Sequence, residues 1–156
     1  MKPKQKKFSH IDVGGEVTMV DVSRKPSVQR SARAEGKIFL ASGTIALLRK
    51  KALPKGDALA TARIAGILAA KKTSEIIPLC HPVALTSVDV DFEIEKNGIR
   101  IESRTACVDK TGIEMEALTA VAAAALTLYD MCKAVDKTMR IGEIRLLEKK
   151  KEAFIL

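Results

Sequence analysis

The feature that most constrains the fold of this chain is a strict alternation of apolar and acidic residues at positions 88–95. The apolar residues at positions 88, 90, 92 and 94 are each followed by Asp or Glu. Because successive side chains of a β-strand point to opposite faces of the sheet, this period of two predicts a strand with one face in the core and the other in water. The sequence therefore requires a sheet that is covered on one side.

The residues that follow predict a hairpin. Asn97-Gly98 is a favoured pair for the two central positions of a type I′ turn, which would return the chain into a second strand through Ile99 and Ile101. The opposite pairs expected from this turn are Glu95 with Arg100, Asp91 with Arg104, and Ile94 with Ile101. Ion pairs on the outer face and an apolar pair on the inner face would both stabilise the hairpin.

A long apolar segment, from about Ile113 to Val135, predicts the longest helix of the chain. One stripe at helical spacing is apolar throughout and is expected to lie on the sheet: Leu118, Val121, Ala125, Leu128, Cys132 and Val135. A second stripe has small residues in its middle and acids towards its ends: Glu116, Ala120, Ala123, Thr127, Asp130 and Ala134. Because small side chains let helices approach closely, this face is expected to meet another helix, with the same helix of a second copy as a candidate.

Shorter elements complete the pattern. They are extended segments at 19–23 and 34–40, a helix from a cap at Ser42 to about Leu53, a helix from a cap at Asp57 to about Lys72, and a strand at 141–148. The resulting order is the β-α-β-β-α-β arrangement of a ferredoxin-like α+β sandwich, an antiparallel sheet with helices packed on one face. Residues 1–156 are expected to form a single domain, with residues 1–15 as a flexible arm.

The formal net charge of +8 indicates a polyanionic ligand. Charge alone allows nucleic acid, an anionic membrane surface or a phosphate-rich small molecule. A nucleic-acid-binding sheet of this fold would carry aromatic residues for base stacking, whereas acids occupy the outer positions of residues 88–95. No apolar run reaches the roughly 18 residues of a membrane span, and no apolar stretch of signal-peptide length follows the N-terminal lysines. We therefore expect neither a nucleic-acid partner nor a membrane, and a small molecule remains.

The three cysteines are scattered along the chain at Cys80, Cys107 and Cys132. Their spacing matches neither a disulfide framework nor a zinc motif. This pattern predicts a reducing, cytoplasmic location and indicates no metal site.

Residues 77–82, which read Ile-Pro-Leu-Cys-His-Pro, form the first candidate site. Each proline fixes its own φ and biases the residue before it to an extended conformation, so the loop is expected to be stiff. A stiff loop that holds a thiol and an imidazole indicates a binding site. A strand entrance with a half-buried His81 explains the same pattern, and the sequence leaves both interpretations open.

Asp130 and Lys133 form the second candidate site, because residues three apart on a helix share one surface. Such a pair is often a surface ion pair that contributes little energy. The helix is apolar nearly all round, however, so we expect the pair at a buried or half-buried end, where pKa values can be tuned for proton transfer. A lysine of depressed pKa is part of this expectation. A regulatory domain that senses a small molecule would share the fold but gives no reason for this pair.

Glu114, Met115 and Glu116 mark the start of the same helix. Acids in a first turn complement the helix dipole, which is one sufficient explanation for them. Glu116 and Asp130 lie on nearly the same face, fourteen residues apart in the sequence, which corresponds to roughly 21 Å along the helix axis. One copy cannot bring both to one small substrate, whereas two antiparallel copies of the helix can.

Pro54-Lys55-Gly56-Asp57 precedes a predicted helix and offers a lysine and free backbone N–H groups to an anion. The Walker spacing is absent, so this segment is not a P-loop. Arg63 follows one and a half turns later. A phosphate contact and a solvated position are equally compatible with the sequence around Arg63.

Four long segments carry a resemblance to a known family. They are KGDALATARIAG at 55–66, IPLCHP at 77–82, TGIEMEALTA at 111–120 and YDMCKAVDK at 129–137. In this order they closely resemble the cyclic pyranopterin monophosphate synthase family, the molybdenum cofactor biosynthesis protein C family. Shorter matches at 19–23 and 144–149 extend the resemblance over nearly the whole chain. Members often end in a glycine-rich tail, which the apolar ending here lacks.

The resemblance implies a catalytic domain with lyase activity. Such an enzyme converts (8S)-3′,8-cyclo-7,8-dihydroguanosine 5′-triphosphate to cyclic pyranopterin monophosphate and diphosphate. It implies that Asp130 is the catalytic acid or base and that Lys133 and Lys55 assist it. The implied substrate-binding residues are Leu79, Cys80, His81, Glu114, Met115 and Glu116, to which we add Arg30 and Arg63 as candidates for neutralising phosphate charge.

The resemblance also implies an assembly. Members form a dimer-based hexamer with active sites between subunits, which agrees with the argument from the two ends of the long helix. No cofactor is firmly implied. Mg²⁺ bound with the triphosphate is the one candidate, and no metal ligands are assigned to the protein.

Overall fold

The computed structural model describes residue 11 and residues 14–153. Within these residues four strands form one antiparallel sheet in the order β2-β3-β1-β4, with the helices on one face. The elements in chain order are β1 Val28–Phe39, α1 Ser42–Arg49, α2 Ala58–Lys71, α3 Thr73–Ile76, β2 Leu85–Glu95, β3 Gly98–Asp109, α4 Glu114–Cys132 and β4 Arg140–Glu152. The predicted α+β ferredoxin-like fold is confirmed.

The core lies between the inner face of the sheet and α4. Ile38 in β1 and Ile101 in β3 are fully buried, as are Val121 and Leu128 in α4. Burial alternates along β1 and β3, so the charged side chains of these strands lie on the outer face. Among the described helices, α4 alone is long and apolar enough to cross a membrane, and its packing against the sheet and α2 accounts for that composition.

Helix α2 covers part of the small-residue face of α4. A Cβ atom on Gly66 would lie 2.9 Å from the carbonyl oxygen of Ala120, and Ala120 and Ala124 are fully buried. The helix that meets these residues is therefore α2 of the same chain, which corrects the suggestion of a second copy at this point. The sheet-facing stripe is also shorter than predicted, because α4 ends at Cys132 and Val135 is exposed.

The β2–β3 hairpin forms with a different turn from the predicted one. Glu95 pairs with Gly98, so Lys96 and Asn97 are the turn residues, and neither has a positive φ. The observed opposite pairs are Ile94 with Ile99, Glu93 with Arg100, and Asp89 with Arg104. The displacement keeps every side chain on its predicted face. Gly98 is needed for another reason, because a Cβ atom there would overlap the carbonyl oxygen of Ile38 in β1.

The first strand is longer than predicted and begins at Val28 instead of residue 34. Residues 19–23, which were expected to be extended by their alternation, do not join the sheet. The flexible arm predicted for residues 1–15 lies mostly outside the described residues, and the single-domain assignment stays a prediction. The part of the chain before Val28 is considered below with the site.

The helix starts agree with the sequence at one cap and differ at the other. Ala41 occupies the cap position of α1 and Ser42 is already helical, without a side-chain capping hydrogen bond. Asp57 caps α2 as predicted, and its carboxylate accepts a hydrogen bond from the backbone N–H of Ala60 at 3.0 Å. The start of α1 is therefore left without a cap from its own helix.

Candidate functional site

The first candidate cluster lies where the α1–α2 connection meets the end of α4. Lys55 Nζ donates hydrogen bonds to Oδ2 of Asp130 at 2.7 Å and to the backbone carbonyl of Asp130 at 3.0 Å. Lys133 Nζ lies 2.7 Å from Oδ1 of the same carboxylate. The structure thus brings together the three predicted catalytic residues, with one ammonium group on each carboxylate oxygen.

The two lysines fix the charge state of this cluster. Hydrogen bonds from Lys133 and Lys55 lower the pKa of Asp130 to about 2. The hydrogen bond to Asp130 in turn raises the pKa of Lys133. The predicted depressed pKa is therefore wrong for Lys133. The side chains of Asp130 and Lys133 are 53% and 54% exposed instead of buried, so pairing outweighs desolvation.

A tight turn presents Lys55 to Asp130. Gly56 has a φ of +93°, which glycine adopts without strain, and its N–H donates to the carbonyl of Leu53 at 3.1 Å. Leu53 is buried in the core. Because Asp57 then begins α2, Lys55 is held between a buried residue and a capped helix start.

The second cluster surrounds a cleft of about 380 Å³ at the start of α4. The cleft brings together the remaining predicted binding residues except Arg63: Arg30, Leu79, Cys80, His81, Glu114, Met115 and Glu116. The proline-flanked loop forms one side and the first turn of α4 another. Strand β2 begins at Leu85, shortly after this loop, and His81 is half-buried. The loop therefore leads into β2, as the alternative interpretation predicted, and also contributes Leu79, Cys80 and His81 to the cleft wall.

Arg30 is fixed at the edge of this cleft. Its Nε donates to the carbonyl of Asp109 at 3.0 Å and its Nη2 donates to the carbonyl of Lys110 at 2.8 Å. A smaller adjoining cleft, of about 230 Å³, continues from Arg30 to three lysines of β4: Lys149, Lys150 and Lys151. Sequence reasoning did not include these lysines among the site residues, because a run of lysines near a chain end gives no local sign of a cleft.

Glu114 and Glu116 have opposite electrostatic environments. Glu116 is 4% exposed, and burial together with the charge of Glu114 raises its pKa. Burial also acts to raise the pKa of Glu114. The net shift is nevertheless downward, and the hydrogen bond from Lys149 at 2.9 Å contributes to it. Two carboxyl groups whose pKa values are driven apart can supply a proton donor and an ionised group in one cleft.

Residues 17–26, which we term the strap, close one side of the cleft. Val20 and Val22 face it and are half-buried, whereas most of the strap is exposed. The carbonyl oxygen of Val20 lies 2.7 Å from Nε2 of His81. Because a carbonyl only accepts hydrogen bonds, this nitrogen of His81 carries the proton. The alternation at Val20 and Val22 is the sequence signal for this segment, and it predicts an extended segment without indicating a cleft.

The cysteines of the described chain are free thiols. Burial raises the pKa of the Cys80 thiol, and the charge of Glu116 adds to that effect. Cys80 is therefore a neutral wall residue of the cleft and not a thiolate. No group of three or more His, Cys, Asp or Glu side chains within the described residues is placed to hold a metal ion.

The two clusters lie at opposite ends of α4. This helix has 19 residues, so its ends are roughly 28 Å apart. A single copy therefore does not bring the carboxylate of Asp130 to the cleft that contains Glu116. Each cluster by itself is half of the site that the sequence predicted.

Arg63 belongs to neither cluster. Its Nε donates to the carbonyl of Val90 at 2.8 Å, and its Nη2 lies 3.5 Å from Asp91. The guanidinium also lies 5.9 Å from the ring centre of Phe92. These contacts hold the side chain towards β2. Arg63 also lines a cleft of about 280 Å³ with Gly56 and Asp57, the residues that follow Lys55, so its contact with phosphate stays a prediction.

Comparison with known proteins gives consistent matches. A family model described as the MoaC family matches residues 19–152. A cyclic pyranopterin monophosphate synthase of Desulfatibacillum aliphaticivorans is 56% identical over 91% of both chains, and one of Clostridium perfringens is 54% identical over 92% of both. A molybdenum cofactor biosynthesis bifunctional protein of Chlorobaculum tepidum is 57% identical over 89% of this chain, which spans 45% of that relative's length.

Proposed function

The chain belongs to the MoaC family, and from this premise we propose that it is a cyclic pyranopterin monophosphate synthase. It acts in molybdenum cofactor biosynthesis as a lyase that converts (8S)-3′,8-cyclo-7,8-dihydroguanosine 5′-triphosphate to cyclic pyranopterin monophosphate and diphosphate. The observation that carries this proposal is the identity of 56% and 54% to two synthases that the chain covers almost completely. The two polar clusters on α4 give that assignment a chemical basis.

The reaction moves protons on the ring atoms and closes a cyclic phosphate as diphosphate leaves. Asp130 is the base in this proposal, and Lys55 and Lys133 neutralise charge on the phosphates. A carboxylate with a pKa of about 2 is a weak base. An arriving triphosphate competes for Lys55 and Lys133, which would raise the pKa of Asp130 and make it a stronger base when substrate is present.

The cleft binds the ring system in this proposal. Glu116, whose pKa burial raises, is the candidate proton donor, while Glu114 and Arg30 lie at the cleft edge. Cys80 and Leu79 contribute uncharged surface against the rings. His81 offers a further hydrogen bond once the carbonyl of Val20 is released.

We place the complete active site between two copies of the chain, in a dimer-based hexamer. The separation of the clusters along α4 supports this arrangement, because two antiparallel copies would bring the end of one helix to the start of the other. Exposed apolar side chains on α2 and α4 support a contact on the helical side: Ile64, Leu68 and Leu126 are all more than half exposed.

Location and metal use complete the proposal. The three free cysteines favour the reducing cytoplasm. Mg²⁺, where it takes part, would be carried by the oxygens of the triphosphate, since the described residues provide no cluster of ligands for it. The substrate is a small molecule, and neither nucleic acid nor a membrane is a partner in this proposal.

The test is a turnover assay with the cyclised nucleotide, with the product identified by mass. The wild-type protein should release diphosphate and form the cyclic monophosphate. Asp130→Asn and Lys133→Ala should remain folded oligomers with turnover reduced by at least about 100-fold. Wild-type turnover in either variant would contradict the assignment of the Asp130 cluster, and absence of turnover in the wild type would contradict the proposed activity itself.

A further inference from the structure

Asp136 is a buried carboxylate that the proposed chemistry does not use. It is 4% exposed and follows the end of α4. Its Oδ2 accepts hydrogen bonds from the backbone N–H of Ala41 at 2.8 Å and from Oγ1 of Thr44 at 3.0 Å. Its Oδ1 accepts from the backbone N–H and the hydroxyl of Thr138, at 2.9 and 2.8 Å. Four donors on one buried carboxylate are more than an incidental contact provides.

The hydrogen bonds show which form of Asp136 the fold selects. Burial acts to raise the pKa of Asp136, but the hydrogen bonds from Ala41, Thr138 and Thr44 lower it overall. The carboxylate is therefore ionised. The pKa of the neighbouring Cys132 thiol is raised mainly by burial and also by the negative charge of Asp136, so this thiol stays neutral.

The two oxygens of Asp136 connect different parts of the chain. Oδ1 binds the loop that contains Asp136 itself, whereas Oδ2 binds the start of α1. Ala41 gives α1 no side-chain cap, and its first turn contains no acid. Asp136 thus supplies from the α4–β4 loop the negative cap that α1 lacks.

Helix α1 leads directly to the lysine of the first cluster. After Arg49 the chain is tied back by hydrogen bonds from Lys51 N–H to the carbonyl of Leu48 and from Ala52 N–H to the carbonyl of Leu47. The turn at Gly56 then presents Lys55 to Asp130. The segment from Ala41 to Lys55 is thus held to the end of α4 at both of its ends, by Asp136 and by Asp130.

We propose that Asp136 is a positioning residue that fixes α1 against the end of α4 and thereby holds Lys55 on Asp130. Asp136 makes no hydrogen bond to Lys55 or Asp130 and acts on them through α1. Its importance for turnover rests on the proposed function, but its effect on Lys55 does not. The charged groups that face Asp130 are Lys55 and Lys133, so the titration of Asp130 reports directly on the position of Lys55.

The test compares two variants that each remove one hydroxyl hydrogen bond to the same carboxylate. Thr44→Val breaks the bond that joins Asp136 to α1, and Thr138→Val breaks a bond within the loop of Asp136. The readout is the carboxyl ¹³C shift of Asp130 in the substrate-free full-length protein, followed by NMR from pH 6 down to pH 3. Lys55→Met gives the shift expected when the lysine is lost.

In the wild type, with a pKa of about 2, Asp130 should stay ionised through most of this range. At pH 3 the protonated fraction of Asp130 should increase in Thr44→Val, in the same direction as in Lys55→Met, whose midpoint moves towards the ordinary value of 3.8. That fraction should be unchanged in Thr138→Val. Asp136→Asn, which disturbs both sides, should give a larger increase than Thr44→Val. Equal shifts in the two threonine variants, or no shift in either, would overturn the proposal and leave Asp136 with a purely structural role.

Turnover provides the second readout. Thr44→Val should lower kcat by about tenfold, with KM little changed, because a small displacement of a catalytic group is costly. Thr138→Val should retain wild-type kcat. If the titration moves as expected while the wild-type protein lacks turnover, the positioning role holds and the proposed activity fails, so the two failures are distinguishable.

Discussion

At the scale of single residues, neighbours decide what each acid in this protein can do. Asp130 is exposed but lies between two ammonium groups, so it is ionised over the whole physiological range. Glu116 is buried beside a second acid, so its neutral form is favoured. The same functional group thus has its pKa shifted in opposite directions at the two ends of one helix.

We expect Glu116→Gln to stabilise the protein at alkaline pH. The folded state raises the pKa of Glu116 above its ordinary value of 4.5, so the wild type loses stability as the pH rises through the folded-state pKa. Glutamine does not ionise, so the variant avoids this loss. The gain in free energy of unfolding is about 1.4 kcal/mol for each unit by which the pKa of Glu116 is shifted. Urea unfolding at fixed protein concentration should show a more stable variant at pH 8 and no difference at pH 4.

Glu114→Gln is the matched control for that measurement. The folded state lowers the pKa of Glu114, so its contribution is present above the ordinary pKa and is lost as the pH falls. This variant should therefore be less stable than the wild type at pH 8. Destabilisation by Glu116→Gln at pH 8 would contradict the assigned environment of Glu116.

Residue-level prediction succeeded where the chemistry is local. The Asp57 cap and the Asp130–Lys133 pair follow from spacing along a helix, and both form. The exposure of that pair could not be predicted, because it depends on how α4 ends. Asp136 lies in a segment that carries the family resemblance, but no local pattern indicated its contacts, since its partners at the start of α1 are more than 90 residues away in the sequence.

At the scale of elements, close approach of backbones decides where glycine is required. Gly98 is needed because β1 passes beside it, and Gly66 because α2 lies against α4. Sequence reasoning assigned Gly98 to a turn, since Asn-Gly is such a strong local signal. In the structure the turn lies one position earlier, and each residue of β2 pairs with a partner two positions earlier in β3, which leaves Gly98 beside Ile38.

Two helical glycines provide a test of this conclusion. Gly66→Ala should destabilise the protein by about 1–3 kcal/mol, because its Cβ would enter the α2–α4 contact at 2.9 Å from a backbone oxygen. Gly43→Ala in α1 has no atom within 4 Å of its Cβ, so it should stabilise by about 0.5–1 kcal/mol through helix propensity. Thermal unfolding of both variants measures the difference, and equal effects would contradict the close packing of α2 on α4.

At the scale of the whole molecule, the two clusters lie at opposite ends of one helix, which is the basis for the proposed site between copies. The order of elements was sufficient to predict the sheet topology, because β-α-β-β-α-β leaves few alternatives. Only the family resemblance implied that residues 77–82 lie close to the first turn of α4. No periodicity relates these segments, which are brought together by the fold.

Complementation tests the shared site. Asp130→Asn and Glu116→Gln should each be inactive alone, since one lacks the proposed base and the other the proposed proton donor. After co-refolding of equal amounts, about half of the pairs are mixed, and one of the two sites in each mixed pair would contain only wild-type residues. About a quarter of wild-type activity should therefore return. Asp130→Asn mixed with Lys133→Ala is the control, because every site in that mixture contains a damaged cluster. Recovery in the control, or none in the first mixture, would exclude a site divided in this way.

The hydrogen bond between His81 and the strap has a consequence for the timing of the reaction. With Nε2 held by the carbonyl of Val20, this nitrogen is not free to bind another group. In the proposed reaction, a nucleotide that needs this nitrogen would first have to displace the strap. Ligand binding and release of the His81 nitrogen would then be coupled, so a ligand too small to move the strap would leave His81 bound to it.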